Sequence, residues 1–279
     1  MVAPDRERLR AALLRRAEAS ARHEEHDLRA QLQRRLEREL GRRPVVALPD
    51  GEDAHNELGT YWRRLLRYPL QQRHGDVALG AGADLDGARL CDLSRGEQFG
   101  ALQGRDCLFL DTETTGLAGG AGTVVFAVGL GWFEPDALVF EQLFLRDFGE
   151  EPAMLAAVAQ RLQQRPVPVS FVGKSFDRHR IAARLAVHKM QAPILTERHL
   201  DLYYLARRAF GRELPDCRLR TVEERRLGLW RTDDLPGSEA PFAFLQWLRD
   251  RTGAIDRVLE HNRLDVLSVA ALLGLLAGR

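Results

Sequence analysis

Two carboxylates, Asp111 and Glu113, follow directly on the apolar run Cys107-Leu108-Phe109-Leu110. That run reads as a buried strand. Side chains alternate faces along a strand, so the two acids share one side of its exit. Gly116 then lets the chain turn. Paired carboxylates at the end of an apolar strand repel each other and are costly to desolvate. A hard divalent cation with oxygen ligands, Mg2+ or Mn2+, relieves both effects. A D-x-E pair alone more often faces water in a turn; here the preceding strand, the following glycine and further acids downstream favour a site.

The stretch Phe171-Val172-Gly173-Lys174-Ser175-Phe176-Asp177 leaves a short strand and enters a helix. Asp177 falls where an N-cap belongs. It also falls at the carboxyl end of a strand, the edge where open α/β sheets gather ligands. Lys174, one of only two lysines, either meets a phosphate or is solvated. In the run HNRLD, His261 and Asp265 are four apart and share a helical face. They stand beside the apolar run Val266 to Leu273, and a hydrogen bond between the two would satisfy both. Together, Asp111, Glu113, Asp177, Asp265 and His261 match a two-metal phosphoryl hydrolase site. In such a site acids hold the cations, the cations bind the phosphate, and a histidine of near-neutral pKa takes the proton of the attacking water.

These residues need a framework. Residues 1–43 are rich in Arg, Glu, Ala and Leu, with Leu9, Leu13, Leu28, Leu32, Leu36 and Leu40 at helical spacing. They read as a charged helical arm ended by Gly41 and Pro44. The arm is either a contact for nucleic acid or, the reading we favour, a charge-laced surface helix. Residues 44–103 form a small β-rich lead-in, with short pieces at Val45–Leu48, Leu58–Arg67 and Asp76–Leu79 broken by Gly, Pro, Asp and Asn. Residues 104–279 read as α/β. The strand at 107 is followed by a hairpin (Val124–Phe133, Leu138–Leu145) and a helix from Pro152 to Gln164. Next come a strand (Val167–Val172), a helix (Asp177–Val187), a short strand (Leu200–Leu202) and a helix (Tyr203–Phe210). Helices over Thr221–Leu227, Pro241–Arg251 and Arg257–Leu275 close the chain. A hairpin followed by strand–helix alternation fits a mixed sheet with helices on both faces.

The formal net charge is +1, so bulk charge implies no polyanionic partner. Cys91, Cys107 and Cys217 are scattered, without metal spacing, which fits a reducing compartment. The N-terminal residues lack an apolar h-region, and no apolar run is long enough to span a bilayer. The expectation is a soluble, cytoplasmic protein with no membrane partner.

The chain resembles the DEDD exonucleases of the ribonuclease-H-like superfamily: DTETTGL is similar to their first motif, SFD to their second and HNRLD to their third. The resemblance narrows to the bacterial YprB-like family through LFLDTETTGLAGGAGT, VGKSFDRHRI, HLDLYYLARR, TVEERRLGL, PGSEAP and EHNRLDVLSVAALL. It covers residues 107–279, extends more weakly to RYPLQQRHG, and does not include the N-terminal helix.

The resemblance implies an α/β fold, a ribonuclease-H-like mixed β-sheet flanked by helices; the N-terminal helix and the lead-in read from the sequence would precede it. It implies that Asp111, Glu113 and Asp265 bind a first divalent cation, with Asp111 bridging to a second near Asp177. Backbone groups around Thr112, Thr114 and Thr115 and the side chain of Leu117 would hold the terminal nucleotide. His261 takes the place of the base. It precedes Asp265 by four residues rather than the five of the proofreading-type branch, so orienting the water stays open beside deprotonating it. Asp201, in HLDLYY, has no assigned role. The implied activity is 3′→5′ exonucleolysis of single-stranded or frayed DNA or RNA. A non-catalytic nucleic-acid-binding module and a structure-specific endonuclease on the same fold are the alternatives.

Overall fold

The structure, a computed structural model, describes residues 45–85, 87–116, 122–232 and 234–278. The expected N-terminal arm and Leu117 lie outside the described residues.

The lead-in contributes strands β1 (Glu52–Asn56) and β2 (Gly59–Pro69), the short ribbon β3 (Arg73–His74) and β4 (Val77–Ala78), and helix α1 (Gly87–Ser94). Then follow β5 (Cys107–Thr114), the hairpin β6 (Val125–Phe133) and β7 (Ala137–Phe144), helix α2 (Glu151–Gln164), β8 (Val167–Ser170) and α3 (Asp177–Val187). The chain continues through β9 (Leu200–Asp201), α4 (Leu202–Phe210), α5 (Leu219–Val222), α6 (Ala240–Asp250) and α7 (Ile255–Ala277). Seven strands form one mixed sheet in the order β1-β2-β7-β6-β5-β8-β9. β5 is antiparallel to β6 but parallel to β8, and β8 is parallel to β9. Parallel pairing sets the carboxyl ends of β5, β8 and β9 along one edge, where α/β sheets gather their ligands. The chain is thus an α/β fold, a seven-stranded mixed sheet flanked by helices, as the motifs imply.

Alternation along β5 divides the core. Cys107 and Phe109 pack with α4 and the second half of α7 on one face. Leu108 and Leu110 pack with α2, α3 and α6 on the other. The apolar run Val266–Leu273 is buried all round, which makes that half of α7 a core helix rather than an amphipathic one. Two glycines of β6 let α7 lie close to the sheet. A Cβ at Gly129 would fall 2.6 Å from Asn262 Oδ1, and one at Gly131 2.9 Å from Val266 Cγ1.

Two local expectations are corrected. Residues 45–48 form no strand: Val46 N–H donates to Arg251 O at 2.8 Å, and its carbonyl accepts Trp247 Nε1 at 2.9 Å. Those bonds pin the segment to the end of α6 and leave no edge to pair. The helix expected over Thr221–Leu227 is α-helical only to Val222; Glu223–Leu227 is one π-helical turn, ended by Gly228 at φ 63°. Isolated π turns recur at functional sites because the extra residue redirects side chains. Among the described residues no helix is long and apolar enough to cross a membrane.

Candidate active site

Asp111 and Glu113 continue the face of β5 that meets α7, and Thr112 points to the opposite face, toward α3. The four candidate acids therefore come from both sides of the sheet and meet around the end of β5. A register shift between Glu113 and Thr114 bends the strand there, as bulges beside active sites do.

On the α7 face, Asn262 is fully buried and donates to Asp111 Oδ2 at 2.8 Å and to the Asp111 carbonyl at 3.1 Å. Its own Oδ1 accepts Gln142 Nε2 at 2.9 Å, and Gln142 also donates to the Leu259 carbonyl at 2.7 Å. With both its amide groups bonded, Asn262 keeps a fixed orientation and so sets the rotamer of Asp111.

Asp265 is held by a guanidinium. Arg231, whose side chain is 5 % exposed, approaches Asp265 Oδ1 at 2.6 Å and donates to Glu223, at the start of the π turn. Ser268 donates to Glu223 in turn, and its oxygen lies 2.8 Å from His74 Nε2. Because the Ser268 proton goes to the carboxylate, His74 Nε2–H is the donor to Ser268. Burial lowers the His74 pKa to about 4, which keeps that ring neutral. The chain His74–Ser268–Glu223–Arg231–Asp265 ties the motifs RYPLQQRHG and TVEERRLGL to HNRLD.

His261 Nδ1 donates to Asp234 Oδ1 at 2.6 Å, which leaves Nε2 turned toward Asp265 Oδ2, 3.7 Å away. A carboxylate behind the ring fixes both tautomer and orientation. Burial disfavours the imidazolium, but Asp265, the bond to Asp234 and Glu113 outweigh it and raise the His261 pKa.

Asp177 is held differently. It opens α3, but Phe176 is the N-cap and no side chain caps that helix, which corrects the capping role. Its carboxylate instead accepts the Thr112 hydroxyl across the sheet, and a Cβ at Gly173 would fall 2.5 Å from its Oδ2. The loop that delivers it is tied by Asp201, which accepts N–H bonds from Val172 (2.9 Å), Lys174 (3.1 Å) and Tyr203 (3.1 Å). Val172 is forced to φ 65°, an unfavourable region for a β-branched residue. Asp201 thus gains the structural role that its motif left open: it caps α4 and fixes the β8–α3 loop. The Lys174 side chain is half-buried. Thr114 Oγ1 donates to the Gly116 carbonyl at 3.0 Å and Thr115 Oγ1 accepts Val124 N–H at 3.0 Å, so both hydroxyls close the turn after β5.

The cluster is electrostatically crowded. Burial raises Asp111 well above the usual carboxylate range, reinforced by Asp265, Asp177 and Glu113. Burial and the neighbouring acids push Glu113 up to about 8, against the pull of His261. Asp177 rises to about 7, chiefly through burial. Such mutual repulsion in a low-dielectric pocket is what a hard divalent cation relieves. Asp111 and Asp177 each give one oxygen to a protein donor (Asn262, Thr112), Asp265 Oδ1 faces the Arg231 guanidinium as an ion pair, and none of these contacts takes the second oxygen. Among the described residues no three such side chains close on one point as a metal cage. Carboxylate oxygens of this kind are the donors that a hard divalent cation takes.

Sequence reading missed Asp234, Arg231, Glu223, Gln142 and the role of Asn262. The acids of TVEERR and the asparagine inside HNRLD were visible as motif members, but nothing local in TDDLP marked Asp234.

The model of the RNase_H superfamily matches residues 108–277. A curated relative, the uncharacterized protein YprB of Bacillus subtilis (strain 168), is 31 % identical over 215 residues, 75 % of this chain and 51 % of that protein. The chain thus spans about half the length of that relative. A family B DNA polymerase from the hyperthermophilic archaeon Pyrobaculum calidifontis shares 14 % identity at a TM-score of 0.42, over 60 % of this chain and 24 % of the polymerase. No functional conclusion follows from so distant a structural likeness.

Proposed function

The chain belongs to the RNase_H superfamily, and from that premise we propose that it hydrolyses phosphodiester bonds with divalent cations, as a DEDD-type 3′→5′ exonuclease on single-stranded DNA or RNA. The observation that carries the reading is the meeting of Asp111, Glu113, Asp177 and Asp265, from β5, α3 and α7, beside a histidine oriented by its own carboxylate. In this reading the four acids hold two Mg2+ or Mn2+ ions. When bound, these would supply Lewis acidity at the phosphate and charge for the leaving oxygen.

The chain's own residues do the rest. Asn262 and Arg231 fix the carboxylates before substrate arrives, so little reorganisation is left for the reaction itself. Water adds to the phosphorus of the terminal linkage as the bond to the preceding 3′ oxygen breaks. His261 Nε2 takes the water's proton, and Asp234 stabilises the imidazolium through Nδ1–H. The products are a nucleoside 5′-monophosphate and a strand one residue shorter that ends in a 3′-hydroxyl. Backbone at Thr112, Thr114 and Thr115, the Leu117 side chain and Lys174 are the proposed contacts to the terminal nucleotide.

The test uses 5′-labelled linear strands and internally labelled circles of DNA and RNA, with Mg2+ or Mn2+. A ladder shortening from the 3′ end with intact circles is the expected result. Opened circles would replace exonuclease by endonuclease, and binding without cleavage would replace it by a non-catalytic module.

A further inference from the structure

Two clefts differ in charge: one includes His261, and the other includes Lys174, from the loop that leads to Asp177. The one beside His261, about 450 Å³, carries three acids, Asp234, Asp256 and Glu260, against two arginines, Arg257 and Arg231, the latter already neutralised by Glu223 and Asp265. The other, about 360 Å³, is lined by Arg95, Lys174, His199, Asp201, Tyr204 and Arg208 among others. It lies at the carboxyl ends of β8 and β9. Asp201 is its one acid among the described residues; it is 3 % exposed, and its oxygens are taken by three backbone N–H groups. His199 shares a hydrogen bond with the Ser170 hydroxyl at 2.7 Å, and burial lowers its pKa to about 3, so it is neutral. Arg95, Lys174 and Arg208 form no ion pair among the described residues, although Arg208 donates to the Leu93 carbonyl. The cleft therefore carries three cations without an exposed counter-charge.

It also carries an aromatic surface. Tyr204 is 45 % exposed, and its ring meets Tyr203 edge-on at 5.3 Å, which meets Phe171 edge-on at 5.9 Å. This row starts at Phe171, at the head of the loop that runs into Asp177. Uncompensated cations along a groove, with a supported ring beside them, are what a single strand uses: phosphates meet the cations and a base stacks on the ring.

We propose that this cleft carries the single-stranded nucleic acid that leads to the carboxylate cluster, with phosphates against Arg95, Lys174 and Arg208 and a base on Tyr204. The strand's identity as substrate rests on the hydrolytic reading above; its binding does not.

Binding is measured with the full chain in EDTA, by fluorescence anisotropy with labelled oligo-dT and oligo-U across a salt series. Arg95→Ala with Arg208→Ala should weaken binding about tenfold and lower the slope of log K against log salt by about 0.7 for each phosphate that the protein ceases to neutralise. Tyr204→Ala should weaken it roughly tenfold and leave the slope unchanged. Arg249→Ala, on the exposed surface of α6, should change neither. Unchanged affinity and slope in all the cleft variants, or no strand binding by the unaltered protein, overturns the proposal. If the cleft variants lose binding while the unaltered protein hydrolyses nothing, the cleft stands and the hydrolytic reading falls. If the unaltered protein hydrolyses strands and the cleft variants bind and cut as it does, the reverse holds.

Discussion

The two halves of the carboxylate cluster are held by different means. On the α7 face, Asp111 and Asp265 are gripped by side chains that belong to the core: Asn262 backed by Gln142, and Arg231 backed by Glu223. On the α3 face, Asp177 hangs from a loop whose shape is set through backbone N–H groups gathered by Asp201, with Val172 held at positive φ. The first half cannot move without repacking the core. The second moves whenever its loop does. A two-metal hydrolase has use for both: a rigid pair to define the site and an adjustable acid to follow the substrate.

The largest effect is expected where the rigid half is broken. Arg231→Gln leaves Glu223 buried and unpaired, and chemical denaturation should show a loss of about 3–5 kcal/mol. Adding Glu223→Gln should recover most of that stability. Turnover should stay low in the folded double variant, since Asp265 has lost its partner; turnover restored along with stability would mean that Arg231 only balances Glu223. Asn262→Ala is next. It frees Asp111 and takes from Gln142 one of its two acceptors, and divalent-cation affinity, followed by Mn2+ electron paramagnetic resonance, should fall about 10- to 100-fold.

The loop-held half should respond more weakly and more locally. Asp201→Ala should cost about 1–3 kcal/mol through its unsatisfied N–H groups. It should speed hydrogen exchange at Val172 and Lys174 while the amides of α7 keep their protection. Equal deprotection of α7 would erase the distinction between the halves.

The crowding of the same acids also sets a pH dependence. In metal-free protein Glu113 titrates near 8 and Asp177 near 7, above their ordinary values of 4.5 and 3.8. The folded state therefore holds protons that the unfolded chain has released. Their stabilising contribution is complete below about pH 4 and is lost as pH rises through 7 to 8. Thermal unfolding should show this decline without divalent cation and a flatter profile with it.

The rigid half was also the more legible. β5, the β6–β7 hairpin and α7 declare themselves through largely apolar runs, and the acids at their ends stood out against that background. The links that hold those acids did not, because they join residues far apart in sequence; Gln142 and Asn262 are separated by 120 positions. At a helix start a cap is the plain reading of Asp177, but its carboxylate takes the Thr112 hydroxyl from β5 instead. Residues 45–48 failed for the same reason, since bonds to α6 override their β-like composition.

The most direct test compares the purified protein with Asp111→Asn in single-turnover hydrolysis of a labelled single strand, with Mn2+ supplied and then chelated. The account expects release of nucleoside monophosphates that stops on chelation and falls about a thousandfold in the variant, some 4 kcal/mol of barrier. Hydrolysis that survives chelation, or that proceeds equally in Asp111→Asn, would contradict it.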